Sequence, residues 1–191
     1  MRKIVAITVA MMLLVGASMA QTPAAKAPVF KYVGAAKCKM CHMAAATGAA
    51  GKVWADSKHS KAFADLASPA ALEIAKKKSI ADPQKSDACL KCHVTGFTAA
   101  ADLKMPTWKA EDGVTCESCH GPGSEFAPIA VMKAIKAGTT KPETVGLLKA
   151  DEKTCVKCHN AESPTSKEFK FAEMYAKIKH EAPKAAEAPK K

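Results

Sequence analysis

The chain has 191 residues, a formal net charge of +11 and only 5 % aromatic residues. Large apolar residues are few and alanines many, which argues against an ordinary side-chain core for a domain of this length. No aromatic interleaving and no nucleic-acid motif accompany the lysines, so the positive balance is not read as a nucleic-acid surface.

Arg2 and Lys3 precede an apolar run from Ile4 to Val15, and Ser18-Met19-Ala20 supplies small residues for cleavage before Gln21. Residues 1–20 therefore read as a secretory signal peptide. The run is short for a bilayer crossing and no later stretch approaches the necessary length, so no membrane span is expected after cleavage. Residues 21–33, rich in alanine, proline and lysine, are expected to form a flexible segment. An alanine-rich stretch interrupted by Gly48 and Gly51 follows. From Trp54 a helix is expected, with Trp54, His59, Phe63 and Leu66 on an inward side and Pro69 closing it. Ala70 to Ile80 reads as a second helix whose Lys76-Lys77-Lys78 run is a solvated face. A loop passes through Gly96, Pro106 and Gly113, and the Gly-Pro-Gly of residues 121–123 forces a turn. A helix is expected over 128–137, with Ile129, Met132 and Ile135 on one side and Gly138 ending it. Phe171, Met174, Tyr175 and Ile178 recur at helical spacing and predict a packed terminal helix. Residues 181–191 are expected to be a disordered tail. No strand-forming block is present, so the fold class is mainly α.

One pattern occurs four times along this chain: Cys38-Lys-Met-Cys41-His42, Cys89-Leu-Lys-Cys92-His93, Cys116-Glu-Ser-Cys119-His120 and Cys155-Val-Lys-Cys158-His159. It uses all eight cysteines. Two thiols at this spacing close thioether bonds to the two vinyl-derived carbons of one haem, and the adjacent histidine lies under the iron as its proximal ligand. A zinc site has no need of a histidine at one fixed offset, and disulfides across three residues would close tiny loops and stabilise little. The reading is a protein with four covalently attached c-type haems. Roughly 40 residues per haem is too few for four separate small domains. The porphyrins are expected to form the core of one tetrahaem domain over residues 34–180, wrapped by short helices and loops. Their eight propionates would offset much of the positive charge.

The six histidines then become informative. His42, His93, His120 and His159 belong to the motifs, which leaves His59 and His180 as candidate distal ligands, the alternative being histidines without ligand duty, with His180 also favourable as a cation at a helix end. At least two irons must therefore lack a second histidine from this chain. A thioether ligand, for which Met132 and Met105 are best placed, would raise the potential of its iron. A five-coordinate iron, or a histidine from a neighbouring chain, are the other options. Because the shortest interval between motifs runs from Cys89 to Cys116, the second and third haems are expected to be close neighbours.

The chain resembles the cytochrome c554 family of tetrahaem cytochromes. The matching stretches are Tyr32-Val33-Gly34 with the first motif, Trp54-Ala-Asp-Ser57-Lys-His59-Ser60-Lys-Ala62-Phe63, Gly113-Val114-Thr115 running through the third motif to Gly121-Pro122-Gly123-Ser124, and Phe169 to His180. The resemblance implies a multihaem cytochrome c fold, mostly helical with packed haem pairs, and marks His59 and His180 as distal ligands. Many relatives carry a distal histidine where this chain has Glu125-Phe126, and one haem without a distal protein ligand also occurs in the family. Met132, just downstream of Phe126, is the preferred replacement ligand.

The function expected is electron transfer between redox partners of a respiratory chain, in the periplasm with the outer surface or exterior as an extension. Partners would be a quinol-oxidising membrane complex or soluble and outer-membrane cytochromes, and not nucleic acid. An electron carrier is expected rather than an enzyme. The alternatives are a reductase of a small nitrogen or oxygen species at an open iron, and a subunit of an extracellular cytochrome filament.

Overall fold

The computed structural model describes residues 28–181. The expected signal peptide at 1–20 and the expected tail beyond residue 181 lie outside the described residues. The fold is mainly helical, as its composition requires, and the helices are short: α1 (Ala35–His42), α2 (Ala50–Asp56), α3 (Ala62–Asp65), α4 (Pro69–Lys77), α5 (Asp87–His93), α6 (Cys116–His120), α7 (Ile129–Lys136), α8 (Glu152–Cys155) and α9 (Phe171–Ala176). Among the described residues, the β structure is a single bridge between Tyr32 and Lys104. None of the described helices is long and apolar enough to cross a membrane.

The one helix expected from Trp54 to Leu66 is broken. α2 starts earlier, takes Gly51 into its first turn and stops at Ser57, whose ψ of 162° is extended. The Ser57 hydroxyl donates to the Trp54 carbonyl at 2.7 Å and accepts from the His59 N–H at 3.2 Å, while Ser60 Oγ donates to the Ala55 carbonyl at 2.9 Å. Serine side chains here take over bonds the helix ladder would have made. His59 opens a separate 3-10 turn, His59–Lys61, that leads into α3. Pro69 does not merely end this region; it opens α4 behind Ser68, whose side chain accepts the Ala71 N–H at 3.2 Å. α7 lies between Pro128 and a left-handed Gly138 at φ +74°, where local chemistry predicts its ends. α9 forms, but Met174, expected to pack, is 41 % exposed, and the contact on this helix is a Phe171–Tyr175 stack at 5.2 Å.

Packing is thin. Leu66, Leu90 and Val94 form the buried cluster, supported by Phe63, Phe97 and Trp108, and no large side chain among the described residues is fully buried. Polar knots supplement it. Lys31 to Val33, at the end of the segment expected to be flexible, are held by Tyr32 N–H on the Leu103 carbonyl (2.8 Å), Met105 N–H on the Tyr32 carbonyl (2.9 Å) and Lys31 N–H on Ser124 Oγ (3.0 Å). The buried Thr95 hydroxyl accepts the Thr115 N–H at 2.6 Å and lies 2.6 Å from Ser118 Oγ, and the Thr95 carbonyl accepts from Trp108 Nε1 at 2.8 Å. This ties the chain after the second motif to the third. Thr95→Val keeps the shape but leaves the buried Thr115 N–H unpaired, and is expected to lower stability by about 1–3 kcal/mol, read as a drop in melting temperature of the haem-loaded protein.

Candidate haem-attachment and ligand site

Each Cys-x-x-Cys-His motif puts its two thiols three residues apart, on one side of a helical turn. The first motif ends α1, the second ends α5, the third is α6, and the fourth runs out of α8 so that Cys158 and His159 follow it. The thiols meet across the chain. Those of Cys38 and Cys116 lie close enough to perturb each other, which pushes Cys38 up and holds Cys116 down. Those of Cys92 and Cys158 are also in contact, and burial together with Cys92 pushes Cys158 up to about 12. The first motif thus abuts the third and the second abuts the fourth. The Lys91–Glu162 ion pair at 2.5 Å reinforces the second contact. The short Cys89–Cys116 interval brings the backbones together at Thr95, while the closest thiol partner of the second motif lies in the fourth.

Two cavities adjoin these motifs. The larger, about 710 Å³, is bordered by Cys38 and His42 of the first motif, by Cys116, Cys119 and His120 of the third, and by Trp54, His59, Phe126, Met132 and His180. Thr115 Oγ1, buried without a hydrogen-bond partner, also belongs to its lining. The smaller, about 370 Å³, holds Cys89, Cys92 and His93 against Leu66, Ile74, Ala75 and Pro83.

The imidazoles pair. His59 faces His159 with ring centres 6.1 Å apart, and His180 faces His120 at 5.8 Å. Two imidazoles on opposite sides of one metal, each bonded at about 2 Å with its ring centre roughly 1 Å beyond the nitrogen, stand about 6 Å apart. Both pairs fit that spacing. His42 and His93 have no such imidazole partner among the described residues. Met132 stands on the wall of the cavity that His42 borders; no methionine is on the wall of the His93 cavity, and Met105 is on neither.

Sequence reasoning missed what orients these rings. His93 Nδ1–H donates to the Ala62 carbonyl at 2.6 Å, His120 Nδ1–H to Leu148 at 3.0 Å and His180 Nδ1–H to Ile178 at 3.1 Å. A proton fixed on Nδ1 leaves Nε2 with its lone pair outward, the tautomer a metal requires. Burial lowers the proton affinity of His59 and of His120, keeping both in the neutral form that ligates. His59 is seated from behind: its carbonyl accepts the Val114 N–H at 3.0 Å, and Gly113, at φ +70°, lies so close that a Cβ would come within 2.8 Å of that oxygen. Trp54 Nε1–H bonds the Val114 carbonyl at 2.8 Å. Phe169 stacks on His159 at 4.9 Å. Partners that are main-chain carbonyls leave no residue signature, so no pattern in the sequence announces them.

Residues 37–121, which contain the first three motifs, match the family described as cytochrome c554 and c-prime. A curated relative, cytochrome c-554 of Nitrosomonas europaea, is 39 % identical over 111 residues, which make up 56 % of this chain and 43 % of that protein. The chain therefore spans less than half the length of the curated relative it matches. No solved structure matches it. Over residues 37–121 the chain is similar to the cytochrome c554 family.

Proposed function

We propose that this chain is a periplasmic tetrahaem c-type cytochrome, carrying electrons between redox proteins of a respiratory chain. The observation that supports it most is the presentation of four imidazoles as two facing pairs, at 6.1 and 5.8 Å, each joining a motif histidine to a histidine remote in the chain. The eight cysteines of the four motifs would hold the haems. His59 and His159 would be the axial pair of the fourth haem, and His180 and His120 that of the third. His42 would hold the first iron opposite Met132, a role favoured by their shared cavity. His93 would hold the second iron alone. When bound, haem supplies a one-electron ferric–ferrous couple, its potential tuned by axial ligands, nearby hydrogen bonds and burial. The residues do the rest: carbonyls of Ala62, Leu148 and Ile178 fix the imidazole tautomers, and unequal ligand sets spread the potentials along a relay.

The N-terminal charged and apolar run supports export, and with it the periplasm. A quinol-oxidising membrane complex and soluble or outer-membrane cytochromes are the partners proposed, with exchange at the cell exterior as the extension of that scheme. A second reading, reduction of a small nitrogen or oxygen species, is favoured by the second cavity. It adjoins His93, its walls carry Asp65, Lys78, Lys91 and Glu162 beside Leu66 and Ile74, and no second imidazole or thioether stands on them.

Purified holoprotein is expected to exceed the mass of its processed polypeptide by four haems. Carbon monoxide added to the dithionite-reduced protein should shift the Soret band of one haem in four. Met132→Ala should raise this to two, and an unchanged spectrum would remove Met132 as a ligand.

His59→Ala and His180→Ala should each convert one further haem from low-spin to high-spin, read by electron paramagnetic resonance of the ferric protein. If both leave the low-spin signals intact, the axial pairing above is wrong.

A further inference from the structure

Glu117, between the two cysteines of the third motif, is only 3 % exposed and forms no ion pair among the described residues. Its carboxylate accepts three main-chain N–H groups: Oε1 takes Val33 and Gly123, and Oε2 takes Gly34, all at 2.8 Å. It borders the larger cavity together with Cys38, His42, Cys116 and His120. A side chain in the middle of an attachment loop ordinarily points to solvent. This one is turned inward, to the place where the first and third motifs abut.

We propose that Glu117 is a potential-setting residue, a buried negative charge that favours the ferric state of the first and third haems and so holds each potential below the value its ligand set alone would give. The inference rests on the tetrahaem reading above. A ferric iron carries one more positive charge than a ferrous one, and an anion in a low-dielectric interior stabilises the former with little screening. The three N–H donors satisfy the carboxylate without cancelling its charge, as a lysine partner would. Burial is the larger effect and raises the carboxyl above its ordinary value, while the three donors oppose it; donors that can only give hydrogen bonds favour the charged acceptor. Tyr32, on the segment that Glu117 anchors, has its hydroxyl proton retained by burial and by this same charge.

The test is Glu117→Gln, in haem-loaded protein, by potentiometric titration with the haems resolved by electron paramagnetic resonance. The amide oxygen can still accept from Val33 and Gly123, while its NH2 faces the Gly34 N–H, so the charge and one acceptor are lost. At a fixed ambient potential the ferrous-to-ferric ratio of two haems should rise about tenfold, a shift of about 59 mV for one electron, and the other two should move less than twofold. Thr95→Val, which loosens a neighbouring knot without removing a charge, should lower the melting temperature and leave all four potentials in place. Unchanged potentials in Glu117→Gln, an equal shift in all four haems, or the same shift in Thr95→Val would each overturn the proposal. If Glu117→Gln fails to assemble, reduced-minus-oxidised infrared spectra of 13C-glutamate-labelled wild type decide. A buried ionised carboxylate band perturbed by reduction upholds the proposal, and a protonated-acid band in both states overturns it. A wild-type preparation with fewer than four haems overturns the underlying reading instead, which separates the two failures.

Discussion

The buried Glu117 carboxylate, with its three N–H donors, carries out a task that a sheet performs in a larger domain. Residues 33–34 and 123 belong to segments with no regular main-chain partner, and a buried N–H left unpaired is costly. One side chain satisfies all three and so joins the entry to α1, the third motif and the Gly-Pro-Gly turn at a single point. Thr95 does the same for the exit of the second motif and the entry to the third. With no large side chain among the described residues fully buried, these polar knots keep the first three Cys-x-x-Cys-His loops in a fixed relation. The energetic reason is asymmetry: each bond contributes modestly when made, but its loss strands a buried donor.

That fixed relation is what makes the histidine geometry possible. His59 and His159 lie a hundred residues apart in sequence, and a ring-centre separation near 6 Å leaves little room for error. The break at Ser57 matters here. A continuous helix would carry His59 on the same rigid element as Trp54. Instead Trp54 reaches the Val114 carbonyl while His59 starts its own 3-10 turn and uses its carbonyl on the Val114 N–H. Both grip the residue two before Cys116, so the presentation of His59 is tied to the third motif although it faces the fourth.

The Cys-x-x-Cys-His motifs stand out in the sequence because the chemistry they suggest is local: two thiols and an imidazole at fixed offsets. So do the limits of α4 and α7, written in Ser68-Pro69, Pro128 and Gly138. The break at Ser57 does not, because serine hydroxyls that intercept helix carbonyls look in sequence like any polar position on a helix face. Nor does the partner of each spare histidine, since the distance along the chain carries no information about which distant imidazole it meets. Glu117 was hidden for a related reason. Nothing in its position inside the motif marks it as buried, and only the arrival of Val33, Gly34 and Gly123 around it turns the side chain inward.

The same logic bears on the order of the four sites. Chain order suggests neighbours one–two, two–three and three–four, with the shortest loop between the second and third. The thiol contacts run otherwise, Cys38 with Cys116 and Cys92 with Cys158, while α6 touches α8. A relay built on these contacts would be interleaved rather than sequential: first and third side by side, second and fourth side by side, with the third and fourth closing the gap. Interleaving makes a compact unit out of a chain that has little apolar material of its own. Each attachment loop gains a neighbour from a distant segment, so the long-range contacts that α-helices this short cannot supply among themselves are supplied by the motifs. A chain of sequential sites would string out as a row of loops, each with only its own few residues to cover it.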